Sequence, residues 1–496
     1  MNLRKSKSAL VTIFIYIFLI SITLLAFTVI QSGYFFEFDI DELYHANTTY
    51  LIAKGYEPFR DFFLPYSPLY HALILPVFTI FGFNLEAMQW TRALMIALFL
   101  IRIAGAMILV RMLFGTLAAA LFMPLLMLDP LTQYVSMQIR PDAYMMTVYT
   151  IGLIFLAQGL THNRKFFVLI SGALFGFALI ISIKILPSLG AIFLIILVTG
   201  WKRHFSEFIE LFVGFATPII IFTLYYVLKG LFVPMATNLL LDARAINETL
   251  KYPTPIGNFY WPAPRTYYGL SFKPALFQYL WSLPLLAFAG AHATLLHLDY
   301  TFSTHSGKRT MQLILIISLV LQWVSLFFVR SVFIQYYLPI TWLFAVFGAV
   351  ALAKLIHATE INNSLYVMVL VSMGCVYAYY LLPSLQANVE KMKITGLEQK
   401  TTIQKQWQHI PETSAVYPGI LFRPLAYPIP YGFTFYDLPP ELIARYGPIQ
   451  NYLEKERVPY LNIDDKPWAL PNETVKHYVT ANYVQEKEYP LFWKRK

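Results

Sequence analysis

The chain has 496 residues, of which 58% are hydrophobic and only 13% charged, about half the charged share of an ordinary soluble domain. That much apolar surface does not fit inside one water-soluble core, so the bilayer is the solvent the composition demands. The formal charge of +10 falls in short basic runs between apolar stretches, which excludes a nucleic-acid patch, and the lone Cys375 excludes a disulfide framework or a thiolate metal site.

A membrane helix needs about 20 mainly apolar residues. In chain order, such segments fall near 9–31, 88–110, 113–129, 142–160, 166–183, 186–200, 206–228, 275–297, 310–329, 332–353 and 364–382, about eleven in all. The first follows a short basic tip and lacks a small-residue cleavage pattern, so it is read as a retained helix. Residues 69–83 are apolar but short and follow Pro65 and Pro68, which predicts a re-entrant or interfacial helix. The expected fold class is an all-α polytopic membrane domain over 1–382, with loops at 32–87, 130–141 and 229–274 on one side. Arg111, Arg164-Lys165, Lys202-Arg203, Lys308-Arg309 and Lys354 all fall on the other side. The positive-inside rule therefore puts the N-terminus in the cytoplasm and the three loops outside it. The tail, 383–496, is richer in proline and charge and predicts a small α/β domain on the extracytoplasmic side. In it, Thr434-Phe435-Tyr436 and His477-Tyr478-Val479 look like strands. No internal repeat is visible, which weighs against a transporter built from duplicated halves.

The chemistry concentrates in the loops. Asp39, Asp41 and Glu42 place three acids within four residues, just after the first helix. Such a group suits a general base for an acceptor hydroxyl. It equally suits a divalent cation, Mg2+ or Mn2+, on the Asp39-x-Asp41 pair, or an ordinary solvated loop. The second loop carries Gln138-Ile139-Arg140-Pro141-Asp142. Asp142 at a helix start favours the helix dipole by about 0.3–1 kcal/mol, and Arg140 suits a phosphate, Asp142 itself or the interface. Lys184 lies in an apolar run, where a lysine at the helix centre costs about 2.5–3.5 kcal/mol, so it belongs at the outer boundary or against an anion. Arg92 is expected to be a helix-end anchor, Arg102 part of a packed internal ion pair, and His71 a helix-surface histidine.

The order Asp41-Glu42, then Gly55-Tyr56-Glu57-Pro58-Phe59-Arg60-Asp61, then Ser67-Pro68-Leu69-Tyr70 resembles the first outer loop of the C-type (GT-C) glycosyltransferases. These are polytopic enzymes that use polyprenyl-phosphate sugars, among them the protein O-mannosyltransferases and the lipid A aminoarabinose transferase. Asp142, Lys184 and the stretch Arg330-Ser331-Val332-Phe333-Ile334-Gln335-Tyr336-Tyr337 match later family positions, although Gln335 stands where histidine is common. The resemblance implies a catalytic or metal-associated carboxylate at Asp41, with Glu42 beside it and Asp142 facing it. It implies substrate contacts at Asp39, Asp61, Arg140, Lys184, Arg330 and Tyr337, with Lys184 on the lipid phosphate. The implied activity is inverting transfer of a sugar from a polyprenyl phosphate to a lipid, glycan or protein acceptor on the extracytoplasmic face of the membrane. The rival reading is a multi-pass transporter or lipid flippase, which would place its ionisable groups near the midplane.

Overall fold

The computed structural model describes residues 30, 33–127, 135–200, 205–242, 275–298, 307–328, 334–359, 396–402, 405, 416–417, 444, 447–462, 473–489 and 492–496. The expected helices at 9–31 and 364–382, most of the loop 229–274, the run 434–436 and Arg330 lie outside these residues.

Two helices, α1 (Ile40–Ala53) and α2 (Pro68–Phe81), precede the long apolar ones. The bundle then runs α3 (Leu85–Phe114), α4 (Thr116–Met127), α5 (Pro141–His162), α6 (Lys165–Ile181), α7 (Leu186–Gly200), α8 (Phe205–Leu228), the short α9 (Phe232–Ala236), α10 (Ala275–Leu295), α11 (Gly307–Ser325) and α12 (Leu338–Thr359). Among the described residues, α3, α5 and α8 are each long and apolar enough to cross a bilayer. So are α11 and α12, each taken with the 3-10 turn beside it. Among the described residues, the other expected apolar stretches fall on helices, four of them on the shorter apolar helices α4, α6, α7 and α10. At 14 residues α2 is only about 21 Å long, short of a full span.

The breaks between helices have local causes. Asn84 caps α3 by accepting the Ala87 N–H at 2.9 Å, and Gly115 ends it at φ 100°. Pro141 opens α5 at its first position, and Asn163 closes it in the left-handed conformation. Between α6 and α7 the backbone tightens into a 3-10 turn, Ile183–Ile185, which carries Lys184.

Helix contact relies on small residues. Gly172 and Gly176 of α6 press directly on the Leu211 and Phe215 carbonyls of α8, and Gly214 of α8 presses back on the Leu169 carbonyl. This small-xxx-small seam brings two backbones closer than any side chain would allow. Trp342, Phe344 and Phe347 of α12 fill the centre with Phe122, Tyr149 and Phe175.

The bundle has two chemically different ends. Helix α5 carries Asp142 in its first turn and finishes beside Arg164, and α6 returns from Lys165 toward the 3-10 turn of Lys184. Gly307, next to Lys308 and Arg309, touches the Leu160 backbone at the far end of α5. Asp142 and Lys184 thus lie at one end of α5 and α6, and the basic turns of Arg164-Lys165 and Lys308-Arg309 at the other.

The C-terminal residues form a four-stranded sheet of order β1-β2-β4-β3: β1 (Val416–Tyr417), β2 (Tyr460–Asn462), β3 (Tyr483–Gln485) and β4 (Phe492–Arg495). Helices α13 (Ile449–Glu456) and α14 (Glu473–Asn482) pack on it around Leu453, Val479, Tyr483 and Phe492. The run His477-Tyr478-Val479, expected as a strand, lies inside α14. Val475 and Val479 are buried four residues apart, the spacing of one helical face.

Candidate active site

The first loop enters α1 through a capping box. Asp39 is the N-cap, and its N–H donates to Glu42 Oε2 at 2.9 Å. Glu42 is fully buried and pairs through both oxygens with Arg92 of α3, with Nε–Oε1 at 2.8 Å. It also accepts the Ile139 N–H at 2.9 Å. Arg92 reaches on to the carbonyls of Phe36 and of Glu37, the latter at 2.7 Å, and lies 4.2 Å from the centre of the Phe38 ring. One buried ion pair therefore binds together residues 36–42, α3 and the second loop. Arg92, expected to anchor a helix end, is the hub of the first loop. Arg102 donates to Ser136 Oγ at 2.6 Å.

Arg140 forms the second centre. It is buried at the entrance to α5 and pairs with both Asp39 and Asp41, while its Nε donates to Gln138 Oε1 at 2.5 Å. The third centre is Lys184, whose Nζ contacts both Asp142 oxygens at 2.8 and 3.1 Å and sits 5.0 Å from the Tyr336 ring centre. Lys184 lies within electrostatic reach of Arg140 and Asp41, so the three centres form one group. Tyr66 adjoins it. Burial first, and the Asp41 charge next, push its phenol well above the usual tyrosine range, so it stays protonated and able to donate.

The structure brings together Asp39, Asp41, Glu42, Arg140, Asp142 and Lys184. The Asp41 side chain is 20% exposed and that of Lys184 13%, whereas Glu42 and Arg92 are closed off. Asp61 makes other contacts. It pairs with Arg60 at 3.0 Å and accepts the Glu57 N–H at 2.7 Å, and the Arg60 hydrogen bond holds its carboxyl below the usual range. Its loop is pinned to α8 and the segment after it: Phe59 packs 5.4 Å from Tyr226, Glu57 pairs with Lys229 at 2.6 Å, and Leu64 donates to Asn238. Phe59 has φ 70°, a strained value for a non-glycine that these anchors hold in place. Tyr337 packs into the bundle core, and its neighbour Tyr336 is the ring that meets Lys184. Gln335 is buried, and its Oε1 has no hydrogen-bond partner among the described residues.

The donor set does not fit a divalent cation as it stands. Asp39 and Asp41 already face the Arg140 guanidinium, and no group of three or more His, Cys, Asp or Glu able to hold a metal occurs among the described residues.

Sequence reasoning missed Arg92 as a partner, and also His45, Tyr66 and Gln399. His71, expected on a helix surface, is buried against His45. Gln399, in the helical stretch 396–402, accepts the Phe38 N–H at 2.6 Å and donates to the Phe38 carbonyl at 2.7 Å, clamping the chain just before Asp39.

A family model described as dolichyl-phosphate-mannose-protein mannosyltransferase matches residues 65–226, about a third of the chain. That stretch includes Arg140, Asp142 and Lys184 and begins after Asp41. No curated protein matches the sequence. Among solved structures, ArnT from Cupriavidus metallidurans bound to undecaprenyl phosphate is 16% identical, with a TM-score of 0.56 over 89% of each chain. Its apo form gives 15% and 0.55 over 91% of this chain and 89% of that one. An Archaeoglobus fulgidus oligosaccharyltransferase tethered to an acceptor peptide gives 12% and 0.52, over 90% of this chain and 69% of that one. The chain has the GT-C fold over nearly its whole length.

Proposed function

We propose that this GT-C-fold chain is an inverting glycosyltransferase that moves a sugar from a polyprenyl phosphate to a hydroxyl of a lipid, glycan or protein acceptor. The observation that carries the reading is the single group formed by a half-open carboxylate, Asp41, and two cations, Arg140 and Lys184, at one end of a membrane bundle. The family match over 65–226 supports the reaction class, and the fold shared with ArnT supports a lipid-phosphate donor.

In this reading Lys184 and Arg140 hold the donor phosphate. The acceptor oxygen attacks the anomeric carbon from the opposite face, Asp41 takes the acceptor proton, and the carbon–oxygen bond to phosphate breaks with its electron pair going to the phosphate. Phosphate is already a good leaving group, so no second carboxylate is required to protonate it. Asp142 is a positioning residue that aims Lys184. Glu42, closed off by Arg92, fixes the first loop, and Asp39 aligns Arg140. The donor lipid lies between helices, with its headgroup at the acid-rich end. The basic turns at the other end support a cytoplasmic location for that end, and hence an extracytoplasmic site.

The test is transfer from radiolabelled polyprenyl-phosphate sugars by the full chain in proteoliposomes. Asp41→Asn should lower turnover by about 10²–10⁴-fold with its thermal unfolding unchanged. Near wild-type turnover removes Asp41 from the role. Sugar accumulating inside vesicles without glycosylated product would make the protein a transporter or flippase.

A further inference from the structure

His45 lies on α1 one turn after Asp41 and so shares its helix face. His71 lies in the second turn of α2. The two rings meet, with His45 Nδ1 3.1 Å from His71 Nε2, and both residues are at most 1% exposed. Tyr66 and Tyr70 stand edge-on to the His45 ring at 5.0 Å, and Tyr44 at 5.6 Å. No hydrogen bond reaches His45 Nε2 among the described residues.

The chemistry of the pair follows from its neighbours. Burial first, then His71, Arg140 and Lys184, hold His45 well below the usual histidine range, so the imidazole is neutral. Two neutral rings share one proton across the Nδ1···Nε2 contact. His71 Nδ1 makes no hydrogen bond among the described residues, so either ring can carry the shared proton. With the proton on His45 Nδ1, the second nitrogen of His45, Nε2, carries a lone pair; with it on His71 Nε2, His45 Nε2 carries an N–H.

We propose that His45 is a sugar-recognition residue, whose Nε2 forms a hydrogen bond with a hydroxyl of the transferred sugar and whose orientation is set by His71. The proposal rests on the glycosyltransferase reading above. There the sugar ring must lie between the base, Asp41, and the phosphate cations, Arg140 and Lys184. His45 borders that space, being one turn from Asp41 and within the fields of both cations. A neutral imidazole suits the position, because it binds a hydroxyl without drawing the phosphate away from Lys184.

The experiment compares the affinity of the detergent-solubilised full chain for undecaprenyl phosphate and for undecaprenyl-phosphoryl mannose, glucose and galactose. Wild type should bind at least one hexosyl lipid more tightly than undecaprenyl phosphate. His45→Leu should weaken that hexosyl lipid by roughly three- to tenfold and shift undecaprenyl phosphate by less than twofold. His45→Gln, which keeps an acceptor oxygen, should recover part of the preference, and His71→Leu should lose part of it. An equal loss for both lipids, or no change for either, makes the pair structural and overturns the proposal. If His45→Leu does not fold, His45→Gln decides: preference kept supports recognition, and preference lost overturns it. A wild-type chain with no preference for any of the three hexosyl lipids overturns the proposal, while the glycosyltransferase reading is decided separately by the transfer assay.

Discussion

The protein uses the same acid–base pairing in two neighbouring regions with opposite degrees of closure. Glu42 and Arg92 are sealed, with every strong donor and acceptor directed at the backbone or at each other. Asp41–Arg140 and Asp142–Lys184 are built from the same residue types but leave an edge open. A sealed pair has no capacity left for a ligand and works as a rivet. An open pair can exchange one partner for a substrate anion or hydroxyl. There are four carboxylates and three cations in the group, so a phosphate can enter only by sharing Lys184 or Arg140 with a carboxylate.

The contrast is broken most severely at the rivet. Arg92→Met strands Glu42 as an uncompensated buried charge and should cost about 3–5 kcal/mol, read as a fall in thermal unfolding temperature in detergent. The double variant Glu42→Met with Arg92→Met should recover much of that loss, since an apolar pair can replace a buried ionic one. A double variant as unstable as the single one would mean that the backbone contacts of Glu42, not the ion pair, hold the loop. At the open pair the effect should appear in binding. Lys184→Ala should weaken affinity for undecaprenyl phosphate by roughly 10–100-fold, the value of a charge-assisted hydrogen bond, and unchanged affinity would detach Lys184 from the phosphate. The smallest effect is expected at the clamp before Asp39. Gln399→Ala should cost about 1 kcal/mol of stability and lower kcat more than it raises KM, because it loosens the approach to the base rather than the donor site. A change in KM alone would argue against that placement.

Much of the bundle was legible in the sequence because its signal is local. Runs of about 20 apolar residues, Pro141 at a helix start and Gly115 at a helix end each depend only on near neighbours. The members of the site were also legible, through residue types that are costly in an apolar setting: Asp41, Asp142, Lys184. Their partners were not, because pairing is a property of the folded chain. Arg92 lies 50 residues from Glu42, and nothing in the sequence near Arg92 marks the pair. A local clue did exist in Asp39-x-x-Glu42, the pattern of a capping box, which marks Glu42 as engaged in its own helix start. Tyr337 was singled out in place of Tyr336 because a 3-10 turn precedes α12, and its tighter winding changes which ring faces Lys184. His71 was misplaced because α2 was read as lying on a surface, whereas α1 covers the face that carries it.

The Gln399 clamp joins residues 361 positions apart, and the Asn238 anchor joins two that are 174 apart. At about 5–20 residues per second, the ribosome needs roughly 9–35 s after Leu64 to make the second anchor, and about 18–72 s after Phe38 to make the clamp. The loop that holds Asp39 and Asp41 therefore emerges among the first segments and is fastened among the last. A nascent chain stalled between Lys184 and Gln399 would carry Asp41 and Lys184 without the clamp on the chain before Asp39.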